Sequence, residues 1–151
     1  MPEYFKDIDA LNNFIQLKKE GCILIGYQNM ADYPGMVVGI GIIFGTSTAK
    51  YVLDLQWISF GLDLYGENLL ENYSYGFETL ESLLQYLQKK YGIHLSHIPI
   101  AYKIEDALFP NPIKDADKKS AFEKAWNQFQ SDFKSGKFLD PQLKLLYSSQ
   151  E

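Results

Sequence analysis

Paired carboxylates are the first residues in this chain whose type and spacing could do chemistry. Glu67 with Glu71, and Glu78 with Glu81, stand at separations that suit two acids flanking a glycosidic bond or sharing a hard cation. Both pairs sit among Leu, Asn and Tyr, without the Arg, His or Trp donors that usually surround a cleft of catalytic acids. They read as solvated or partner-facing acids, with Glu81 favouring a helix N-terminus. His94 and His97 could share a metal if their spacing of three lay on a helix. Gly92 and Pro99 argue for an extended segment, in which that odd spacing sends the two rings to opposite faces. A histidine base beside Ser96 has no supporting spacing. Gly39, Gly41 and Gly45 resemble a phosphate-cradling loop only superficially, because a further strand follows them where the nucleotide signature needs a helix. They read as glycines relieving crowding in a twisted sheet. The residues give no catalytic set, and the expectation is a protein that is not an enzyme and needs no cofactor or metal.

The elements that must position these residues follow from periodicity. A first helix is expected from about Ile8 to Glu20, capped by Asp7, with Ile8, Leu11, Phe14, Ile15 and Leu17 in its apolar stripe and Gly21 ending it. Strands follow over 22–28 and 36–45, separated by a loop closed by Tyr33-Pro34-Gly35. Tyr51, Leu53, Leu55 and Trp57 alternate with Asp54 and Gln56, which makes a third strand and turns Asp54 to solvent. A hairpin or bulged edge is expected from Phe60, with Asp63, Tyr65 and Glu67 on one side. Thr79 caps a second helix over 80–90, stopped by Gly92. A short strand-like stretch surrounds Pro99, and a third helix over 120–135 carries Phe122, Trp126, Phe129 and Phe133 as a core stripe. The fold class is α+β: an antiparallel sheet of three to five strands flanked by about three helices, in a single domain spanning residues 1–151.

Bulk composition narrows the function. Hydrophobic residues at 46% and aromatics at 15% offset the entropy of ordering a chain of 151 residues, which excludes disorder. Every basic residue is Lys, so the fork-shaped donor favoured for phosphate and guanine is missing, and nucleic acid is not an expected partner. Cys22 is the only cysteine, which fits a reducing cytoplasm. No signal-like or bilayer-length apolar run is present, so no membrane partner is expected. Abundant Lys, Asn, Ile and Tyr beside absent Arg suggest an AT-rich, bacterial coding sequence.

The charge is segregated. Six of the nineteen acids and none of the fourteen bases fall in residues 51 to 88, so this window is −6 and the remainder +1. Asp54, Asp63, Glu67 and Glu71 would steer a basic partner toward it, and Tyr65, Tyr73 and Tyr75 would supply contact area with a polar tip.

Asp32-Tyr33-Pro34-Gly35 before a glycine-rich apolar strand, the acidic aromatic window, and Phe77-Glu78-Thr79-Leu80-Glu81-Ser82-Leu83-Leu84 opening a helix make the chain similar to bacterial immunity proteins of contact-dependent growth inhibition and related polymorphic toxin systems. That resemblance implies a cytoplasmic inhibitor that binds a cognate toxin domain, often a basic nuclease, and blocks its active site or an adjacent surface. The alternative is an acidic adaptor or regulatory protein-binding module without catalytic activity. A small enzyme using a hard cation is the third reading.

Overall fold

Local chemistry places the helices as expected. In the computed structural model, which describes residues 3–59, 70–100 and 116–149, helix α1 covers Ile8–Lys18. The Asp7 carboxylate accepts from the Ala10 amide at 2.9 Å, satisfying one of the free N–H groups of the first turn. The helix stops at Lys19, two residues before Gly21, because Lys19 takes a positive φ of 68° and its N–H returns to Ile15 O. Gly45 packs against this turn. A Cβ there would stand 2.4 Å from Lys19 O, and its φ is +80°, so both space and backbone require glycine.

Strands β1 (Gly21–Asn29), β2 (Met36–Phe44), β3 (Tyr51–Ser59), β4 (Leu70–Phe77) and β5 (Lys144–Ser148) form one antiparallel sheet in the order β1-β2-β3-β4-β5. Helix α2 (Leu80–Tyr91) starts at Thr79, whose hydroxyl accepts from the Ser82 amide, and ends at Gly92, which is left-handed at φ 67°. Helix α3 covers Ala116–Lys134. The fold is α+β, with five strands and three helices among the described residues. No helix of the described residues is long and apolar enough to cross a membrane.

The strand-like stretch around Pro99 is a correction. Leu95–His97 forms a 3-10 turn, and Pro99 makes one isolated antiparallel bridge to Tyr4. A further strand, β5, appears where periodicity gave none. It is only five residues long, and its two ends are held by pairing with β4 rather than by an apolar alternation of its own.

All three helices bury residues in the same cluster as one face of the sheet. Leu11 of α1, Leu80, Leu83 and Leu87 of α2, and Phe129 and Phe133 of α3 join Val38, Ile40 and Ile42 of β2 and Leu53, Leu55 and Trp57 of β3. Phe133 stacks on Tyr73 of β4 at 4.6 Å and meets Trp57 edge-on at 5.6 Å. The stripe expected on the third helix is thus core at Phe129 and Phe133, with Trp126 half-buried.

Candidate functional site

The side of the sheet away from the helices is built by the alternate residues of the same strands. Since successive strand residues point to opposite faces, Asp54 and Gln56 of β3 and Asn72 and Ser74 of β4 share this outer face. Pairing puts Asp54 opposite Ser74, and Gln56 opposite Asn72. The Asp54 carboxylate gathers them: Asn72 Nδ2 donates to Oδ1 at 2.9 Å, Ser74 Oγ donates to Oδ1 at 3.0 Å, and Gln56 Nε2 donates to Oδ2 at 3.2 Å. Asn72 Nδ2 also reaches Leu55 O at 2.8 Å, which ties the band to the backbone of β3. A carboxylate with three donors has a fixed position as well as a charge.

Next to Asp54, β2 presents no side chains. Gly41 pairs with Asp54 and Gly39 with Gln56. The Tyr27 ring lies over Gly39, with its Cε1 2.9 Å from where a Cβ would stand, and the Cys22 sulfur is 3.4 Å from the corresponding point at Gly41. Glycine here makes room for a ring from the neighbouring strand, consistent with relief of crowding. Partial burial, and then the Asp54 charge, push the Cys22 thiol up, so it is a poorer nucleophile than a free cysteine. At the other side Tyr147 of β5 stands opposite Ser74 and is half exposed. The outer face therefore carries a polar band from Tyr27 to Tyr147, flanked by Ile43 and Val52 in one direction and by Val37 and Ile58 in the other, of which Val37, Val52 and Ile58 are buried.

Of the residues expected to form a docking surface, the four that are described do not come together on one face. Asp54 is on the outer face. Glu71 pairs with Trp57, so it has the parity of the helix side, at the rim of β4, where Ser149 Oγ donates to its carboxylate. Tyr73 and Tyr75 are a correction: they are 4% and 0% exposed, packed in the core. Tyr75 also accepts from the Asp140 amide at 3.1 Å. Tyr73 is held by Trp57 and Phe133, and Tyr75 packs on Tyr73, so neither is a surface anchor. Asp63, Tyr65 and Glu67 lie outside the described residues, as does the hairpin expected from Phe60. Glu78 and Glu81 are exposed at the start of α2, where Glu81 occupies the first turn.

The histidine geometry also differs from expectation. Instead of pointing to opposite faces, the rings of His94 and His97 meet at 5.3 Å, because the 3-10 turn closes the segment and the His94 amide donates to His97 Nδ1 at 3.3 Å. Both residues are exposed. Among the described residues no three His, Cys, Asp or Glu side chains converge in a way that could hold a metal ion.

Sequence reasoning missed Asn72, Ser74 and Tyr147 as members of a surface band. For the first two the signal was present: in Leu70–Phe77 the polar residues Asn72 and Ser74 alternate with Tyr73, Tyr75 and Phe77, the pattern of a half-buried strand.

Comparison of the chain with protein-family models, with curated proteins and with solved structures gives no match.

Proposed function

We propose that this chain is an immunity-type inhibitor, which binds a cognate basic toxin domain and neutralises it, and that the outer sheet face is its docking surface. The observation that carries the reading is the Asp54 band: a carboxylate immobilised by Asn72, Ser74 and Gln56, on a face away from the helices, in a segment of the chain that carries acids and no bases. A pre-set acid costs little further ordering on association and attracts a basic surface from a distance. Tyr27 and Tyr147, in place of Tyr73 and Tyr75, supply the aromatic contact area on that face. The toxin is expected to be a basic nuclease, because a surface that binds phosphate offers the complementary field.

The test is to express the tagged chain beside its neighbouring genes and identify what co-purifies at moderate salt. A basic toxin domain in equal amount is expected. With that partner in hand, Asp54→Asn removes the charge and keeps the shape, and should slow association about threefold at low salt while leaving the high-salt rate unchanged. Purification without any partner would overturn the inhibitor reading. A partner whose association ignores Asp54→Asn would move the docking surface elsewhere.

A further inference from the structure

A cleft of about 460 Å³ opens between the C-terminal turn of α2 and the segment that joins α3 to β5. Its charge is opposite to that of the chain as a whole. Lys89 and Lys90 enter it from α2 and Lys137 from the far wall, against one acid, Asp140. Asp140 is engaged within the protein: its Oδ1 accepts from the Gln142 amide at 3.0 Å, and its own amide donates to Tyr75 Oη at 3.1 Å. Lys137 has partners too, donating to Tyr33 Oη at 2.9 Å and lying 3.6 Å from Asp132. Among the described residues Lys89 and Lys90 form no ion pair.

The remaining lining divides into two kinds. Tyr86 and Tyr91 offer phenol groups, which burial above all pushes well above the ordinary range, so they stay protonated and can donate. Phe138, Leu139 and Pro141 form an apolar wall, with Leu139 exposed. Donors and cations on one side and an apolar wall on the other match a ligand with an anionic, acceptor-rich head and an apolar or planar body. The volume is within the range of small-molecule sites. Lysines in the last turn of α2 also suit the helix dipole, but that role alone calls for neither the apolar wall opposite nor the half-buried phenols beside them on the same helix.

We infer that this cleft binds a small organic phosphate, with Lys89 and Lys90 on the phosphate and Phe138 and Leu139 against its body. The site is independent of the outer sheet face and of the inhibitor reading.

Phenyl phosphate is the minimal probe. Titrated into the isotope-labelled protein, it should give saturable amide shifts confined to residues 86–91 and 137–143. Lys89→Gln together with Lys90→Gln, both exposed positions, should preserve the spectrum and weaken binding about tenfold, a change of about 1.4 kcal/mol. Inorganic phosphate should bind more weakly than phenyl phosphate. The proposal is overturned by an absence of saturable shifts, by shifts centred outside the cleft, by binding that the double variant leaves unchanged, or by inorganic phosphate binding as well as the aryl ester.

Discussion

The two faces of the central strands differ more than any two ends of the chain. On one face Trp57 and Tyr73 are buried under Phe133 of α3, with Tyr75 buried beside Tyr73, each in edge-to-face or stacked contact with another ring. On the other, one residue away along each strand, Asp54, Asn72 and Ser74 form a hydrogen-bonded polar band. The difference teaches that a stretch rich in both acids and aromatics need not be one surface. With a side-chain period of two, composition averaged over a window merges the aromatic core layer with the half-buried polar layer behind it, and only the parity of each residue separates them.

Three experiments would break or sharpen this contrast. The largest effect is expected on the helix side. Phe133→Ala removes a fully buried ring stacked on Tyr73 and touching Trp57, and should cost about 3–5 kcal/mol in denaturant unfolding. A loss below about 1 kcal/mol would show that α3 is not seated on this face. On the outer face the expected change is smaller. Asp54→Ala deprives Asn72, Ser74 and Gln56 of their shared acceptor, but these groups are part-exposed and water can replace it, so the loss should be about 1 kcal/mol. If it equalled that of Phe133→Ala, the band would be a structural core and not a free face.

The third effect shows only under alkaline conditions. Tyr75, Tyr86 and Tyr91 have phenols raised above the ordinary value, chiefly by burial; the Asp140 charge adds to the shift of Tyr86 and Tyr91, whereas the Asp140 amide bond to Tyr75 works against it. A folded-state pKa above the unfolded one means that their contribution to stability is complete below pH of about 10 and is lost as pH rises through the folded values. Phenolate absorbance should therefore lag behind that of a tyrosine peptide and rise together with loss of structure. Titration of every tyrosine near pH 10 in a still-folded protein would contradict the burial of this cluster.

How much of this was legible varied by element. Asp7 and Thr79 marked their helices, because a cap is a short-range interaction between a side chain and amides three residues on. Leu80, Leu83 and Leu87 of α2 declared a buried stripe by spacing alone. The alternation in β3 placed Trp57 inside and Asp54 on the wetter side. By contrast β4 was read through its acids and tyrosines as a docking surface, although Asn72 and Ser74 carried the strand period. Gly92 and Pro99 point to an extended segment around His94 and His97; the turn at Leu95–His97 is closed by backbone bonds that composition does not specify.

By itself the sequence determined the fold class, both caps, the core stripes and the segregation of charge into residues 51 to 88. These depend on interactions within a few residues or on simple counting. Tertiary structure decided what is joined across the chain: that Tyr73 lies beneath Phe133, that Asp54 collects donors from β4, that Lys137 faces Lys89 and Lys90 across a cleft, and that residues 144–148 complete the sheet. Such pairings come from strand register and helix docking between segments tens of residues apart, and a local pattern fixes which face a side chain takes but not which partner it meets there.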